Sequence, residues 1–211
     1  MKSNLFSTIA LAACFLFAPF AHGAVEDEDC GNLTNAFGPF DYRSAAKANI
    51  EVVETHHFTP KVESLISGQE GRLEADISYT LRAFPNHHRA LLAMARLMLR
   101  EKKTKLPFSP YSIECWFRRA SLYQPDDGQV RVIHGYYLSK AGNLKGAVDE
   151  FQDAIKLGED TGNVHYNLGL VLFELKDFEG SLANAKKAYA LGFQLPGLRN
   201  KLREAGIWKD E

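Results

Sequence analysis

The sequence predicts an all-α chain: a short α-solenoid of stacked helix hairpins with a less regular N-terminal segment. Three observations predict it. An internal period of 34 residues runs through the C-terminal half, and self-similarity at that spacing is the mark of a repeat architecture. Small residues recur at matched places inside the period. Pro and Gly punctuate it between segments of helical length.

The period is read by aligning Gln129-Val130-Arg131-Val132-Ile133-His134-Gly135-Tyr136-Tyr137-Leu138 with Asn163-Val164-His165-Tyr166-Asn167-Leu168-Gly169-Leu170-Val171-Leu172. Gly135 then meets Gly169, and the offset persists through Leu144 and Phe178, Val148 and Leu182, Ala154 and Ala188, and Leu157 and Leu191. Two consecutive helix pairs are expected, over residues 128–161 and 162–195.

Taken in order, the chain begins with an address. Lys2 precedes an apolar run over residues 5–20, and Ala21, His22 and Gly23 follow it. A charged start, an apolar stretch and small residues before a cut describe a secretory signal peptide, residues 1–23, with cleavage after Gly23. The run contains Pro19, is shorter than the roughly 20 apolar residues of a spanning helix, and leads into Glu26, Asp27, Glu28 and Asp29. A lipoprotein reading through Cys14 is the lesser alternative, because Phe15, Leu16 and Phe17 follow where a polar tether belongs. A periplasmic or secreted location follows.

Without the leader about 190 residues remain. They carry 24 basic against 26 acidic residues, a net charge of −2, which gives no broad footprint for nucleic acid. No later stretch is long and apolar enough to span a bilayer. Two cysteines remain, Cys30 and Cys115. An even number in an oxidising compartment points to one bridge; two separate buried thiols are the alternative.

Residues 24–67 fit no repeat. Gly31, Gly38 and Pro39 mark turns, residues 45–53 suit a short helix, and Phe37, Phe40 and Tyr42 are the expected anchors on the array. Asn32-Leu33-Thr34 matches a glycosylation acceptor, a weak pattern. Residues 68–87 read as a half-repeat, and 88–127 as a full one with six extra residues where Pro107 and Pro110 stop a helix. After Pro196 and Gly197, residues 197–208 supply a capping helix, with Leu198, Leu202, Ile207 and Trp208 facing the last repeat.

The small residues carry a resemblance to a known family. Gly135, Ala147 and Ala154 in one repeat, and Gly169, Ser181 and Ala188 in the next, stand where the tetratricopeptide repeat pattern has its small positions. Close approach of antiparallel helices needs them there. The resemblance spans about residues 70–208 and implies a right-handed α-solenoid, an exported scaffold that catalyses nothing and uses no cofactor. It also implies that the first helix of each pair lines a concave groove for a partner's peptide or helix. The groove positions by that pattern are Arg89, Leu92, Arg96, Leu99 and Arg100, then Gln129, Val132, Tyr136, Ser139 and Lys140, then Asn163, Tyr166, Leu170, Phe173 and Glu174. Arg89, Arg96 and Arg100 point to a partner segment of acidic character, and the setting to cell-envelope assembly, secretion or pilus biogenesis. Of the Lys and Asn set with which some relatives clamp a terminal carboxylate, only Asn167 is present.

The alternative function is metal or small-ligand binding by the doublets His56-His57 and His87-His88. Neighbouring residues on a regular element diverge, which argues against a shared metal, and no metal site is assigned. No catalytic motif occurs, and Glu63, Glu70 and Glu74 read as charged helix surface. His134 stands where the family has Leu, and is expected to be buried and hydrogen-bonded.

Overall fold

A computed structural model describes residues 30–69 and 71–209. The leader with its cut after Gly23, Cys14 and Glu70 lie outside the described residues. Among these, ten helices and no strand are present. They are α1 (Lys47–His57), α2 (Pro60–Glu63), α3 (Leu73–Ala83), α4 (His88–Glu101), α5 (Ile113–Tyr123), α6 (Gly128–Ala141), α7 (Leu144–Lys156), α8 (Gly162–Glu174), α9 (Phe178–Ala190) and α10 (Gly197–Glu204).

The helices form a short α-solenoid. α6 pairs with α7 and α8 with α9, α7 packs on α8, and α10 closes the far end against α8 and α9. Local chemistry sets the turns. Gly142 ends α6 with a left-handed φ of 88°, and the Asn143 side chain accepts from Gly146 N to start α7. Asp177 caps α9 in the same way, accepting from Gly180 N. Such caps satisfy amide donors that a helix start leaves unpaired.

Small residues sit where helices touch. A Cβ on Gly135 would meet the Phe151 ring at 3.0 Å, and one on Gly169 would meet Leu198 at 2.6 Å. Ala147, Ala154, Ser181 and Ala188 are fully buried, and Ser181 Oγ donates to the Gly169 carbonyl at 2.8 Å. The largest core cluster runs from Phe58 and Val62 through Met94, Trp116 and Phe151 to Val171.

The loop between α4 and α5 is ordered by its own anchor. Leu106 is buried, Trp116 Nε1 donates to Ser109 Oγ at 3.0 Å, and Ile113 N donates to the Thr104 carbonyl at 2.8 Å. The two prolines thus sit in a packed excursion.

Cys30 and Cys115 are bridged, with Cα atoms 5.2 Å apart. Beside the bridge the buried Arg119 guanidinium donates through Nη1 to the carbonyls of Cys30, Gly31 and Asn32. Residues 30–46, which form a strap, continue across α3 and α5. Phe40 N donates to Ala83 O, Tyr123 Oη donates to Pro39 O, and Phe37, Phe40 and Tyr42 pack around Phe84. Gly38 is required in that crossing: its φ is 91°, and a Cβ would press on the Ala83 carbonyl.

The first helix differs from the expected 45–53. Residues 41–46 form turns in which the Asp41 carbonyl accepts from Ser44 N and Ala45 N, so α1 starts at Lys47. It runs on to His57, packs on α3, and is followed by α2, which reaches α4. At the other end α10 stops at Glu204, before a turn in which Gly206 has a φ of 72°. Leu198 and Leu202 are nevertheless fully buried, as a cap requires.

Candidate partner-binding groove

The first helices of the pairs, α4, α6 and α8, stand side by side, and their matched register places the predicted groove residues on one face. The structure sorts those residues into three groups.

Arg89 and Arg100 are occupied from within the chain. Arg89 Nε donates to Glu63 Oε1 at 2.8 Å, its Nη2 donates to Glu63 Oε2, and its Nη1 lies 3.1 Å from Glu54 Oε1. Arg89 holds the Glu63 carboxyl below its ordinary range. Arg100 Nη1 donates to the Leu65 carbonyl at 2.9 Å, and its Nε pairs with Glu101. The α1–α2 segment therefore covers the face of α4 that carries Arg89 and Arg100. Ion pairs of this exposure are worth no more than about 1 kcal/mol each, whereas fully burying Phe58 and Val62 contributes about 3 to 6 kcal/mol together. Both side chains are buried in the main core, so the segment is a fixed part of the fold rather than a removable plug. Glu63, read from the sequence as plain charged surface, is half of this cage.

Val132 and Tyr166 form the second group. Val132 is 5% and Tyr166 9% exposed, and Tyr166 packs on Phe193 with ring centroids 4.4 Å apart. Both are packed into the chain's own core and offer little surface. Capping explains the burial of Tyr166, because its ring belongs to the cluster built by Leu198 and Leu202 of α10.

The rest form an open wall. Leu92, Leu99, Tyr136, Leu170 and Phe173 are half-buried. Arg96 is exposed and makes no hydrogen bond or ion pair among the described residues. The Lys140 ammonium lies 6.0 Å from the Tyr136 ring centre, and the Lys201 ammonium of α10 lies 5.5 Å from that of Phe173. Gln129 is half-buried and Glu174 exposed. Ser139 donates to the Tyr136 carbonyl, and Asn163 accepts the Asn167 side-chain amide at 2.8 and 3.0 Å. Lys201 went unnoticed in the sequence, since it follows the repeats and shares no period with them.

Three of the four doublet histidines are engaged one at a time. His87 is fully buried, and its Nδ1 accepts from Ala90 N at 3.1 Å as the cap of α4. Nε2 must therefore carry the proton, and it donates to Glu54 at 3.0 Å. Burial pushes the His87 pKa down, in keeping with a neutral ring. His88 reaches Asp127 at 2.9 Å, and His57 reaches Asp76 at 3.0 Å while stacking on Tyr79. His56 is exposed. Among the described residues no three His, Cys, Asp or Glu side chains are placed to hold a metal ion.

Among the described residues the stacked helix hairpins form a short, all-helical α-solenoid. No family model matches the chain, and no curated protein does. A solved structure named MamA MSR-1 C2 matches with a TM-score of 0.47 at 17% identity, over 72% of this chain and 80% of that chain.

Proposed function

We propose that this chain is an exported, non-catalytic scaffold that holds a segment of another protein against the open wall of α4, α6 and α8. The observation that carries the reading is Arg96, an exposed cation without a partner among the described residues, on the same helix as the half-buried Leu92 and Leu99. Aromatic and arginine side chains over a half-buried apolar floor are the usual anchors of binding energy. Cations on that wall favour a segment of acidic character, by steering it and fixing its register.

Two features support an oxidising compartment, the leader read over residues 1–23 and the Cys30–Cys115 bridge, since disulfides persist where the surroundings oxidise. A periplasmic adaptor in envelope assembly, secretion or pilus biogenesis fits both. Affinity capture from an envelope fraction tests the reading. One defined protein is expected with the wild type, and its loss with Arg96→Glu and with Tyr136→Ala. Retention of the same protein by both variants would overturn the groove.

A further inference from the structure

On the opposite side of α6 from the groove, His134 stacks on Phe117 of α5, with ring centroids 4.4 Å apart and planes at 18°. Its Nε2 lies 3.0 Å from Glu114 Oε2 on α5, and its Nδ1 lies 3.0 Å from Glu150 Oε1 on α7. The ring stands in a cleft of about 410 Å³ lined by residues of α5, α6 and α7. The charged groups facing it are Glu114 and Arg118 from α5, Arg131 from α6 itself and Glu150 from α7. Arg131 Nη1 is 3.3 Å from both Glu150 oxygens.

An ionised carboxylate only accepts, so Nε2 must donate to Glu114, and the close approach of Nδ1 to Glu150 is an ion pair only when the ring is the imidazolium, which alone has two N–H groups. A neutral ring leaves one nitrogen lone pair against a carboxylate. Position in the repeat sharpens the point. The register equivalents of His134 are Met94, 40 residues earlier, and Leu168, 34 residues later, and both are buried core side chains. At this joint, a titratable ring between two acids replaces an apolar contact.

We propose that His134 is a proton-dependent clasp joining α5 to α7, so that the first and second hairpins are held together when the ring is protonated and loosened when it is not. Those hairpins carry Arg96 and Tyr136 on their other face, so the clasp sets how firmly the groove's two main anchors are held relative to each other. Burial of the ring opposes its charge, but hydrogen bonds to Glu114 and Glu150 outweigh it and raise the His134 pKa. A raised folded pKa means the stabilisation is complete below the unfolded value and is lost as pH rises through the folded one.

The test uses the full oxidised chain. The His134 ring resonances, followed by NMR against pH, are expected to titrate above the ordinary histidine value of 6.5 and to shift down in Glu114→Gln and in Glu150→Gln. Urea unfolding of wild type and His134→Leu, compared from slightly acid to alkaline pH, is expected to show the wild type losing ground steadily as pH rises. A ring that titrates at or below 6.5 overturns the clasp, as does a stability gap independent of pH. Should His134→Leu fail to fold, the NMR shift between wild type and Glu150→Gln decides alone.

Discussion

The Asn86 side-chain amide lies 2.8 Å from the Asp127 carboxylate, joining the turn before α4 to the turn before α6 across 41 residues of sequence. The same amide donates to Asp41 at 2.7 Å, and its oxygen accepts from Tyr42 N at 3.0 Å. One fully buried side chain thus ties the strap to two helix starts. Asn86→Ala is expected to cost about 2 to 3 kcal/mol, because it strips a donor from the buried Asp127 carboxylate and another from the half-buried Asp41. Urea unfolding with an unchanged m-value checks it.

Acid should act on this junction. Burial raises the Asp41 pKa, but hydrogen bonds from Arg43 and Asn86 outweigh burial and hold it at about 2. A depressed folded pKa gives stability that is present above the unfolded value and lost as pH falls through the folded one. Between about pH 4 and pH 2, Asp41 alone is expected to withdraw about 2 kcal/mol. Thermal unfolding across that window should be shallower in Asp41→Asn than in the wild type.

The Cys30–Cys115 bridge closes a loop with a sequence separation of 85. Replacing both cysteines by serine is expected to lower stability by about 4 to 5 kcal/mol through the freedom gained by the unfolded chain. Reductant should reproduce most of the loss in the wild type and have no effect on the double variant.

Close helix approach has its own test. Gly135→Val puts a branched side chain where a Cβ alone meets Phe151 at 3.0 Å. Overpacking of this kind costs about 1 to 3 kcal/mol, seen as a lower Tm with the helical circular dichroism retained.

Buried and exposed residues of the predicted groove should separate by stability. Tyr166→Ala is expected to cost about 3 kcal/mol or more, as removal of a buried aromatic ring does. Arg96→Glu should stay within about 0.5 kcal/mol of the wild type. Chemical denaturation of the two variants distinguishes a supporting residue from one left free to bind.

The repeat was legible in the sequence because Gly135 and Gly169, Ala147 and Ser181, and Ala154 and Ala188 stand 34 residues apart, each buried where only a small side chain fits between helices. The strap was legible in its anchors, Cys30, Phe37, Phe40 and Tyr42. The cover that α1 and α2 place over α4 was not. Arg89 meets Glu54 and Glu63 across 35 and 26 residues, separations that no helical or repeat period marks, and charged side chains on helices otherwise read as solvated. Tyr166 was misleading for a related reason: its register is that of a groove residue, but α10 buries it, and only the packing of a cap outside the repeats reveals that.

A photoreactive residue placed at Tyr136, with another at the exposed Leu122 of the outer cleft as comparison, tests the scaffold most directly when cross-linked in cells. A single partner joined at position 136, absent at 122 and lost with Arg96→Glu, is the predicted result. Cross-linking of that partner at 122 but not at 136 would contradict it.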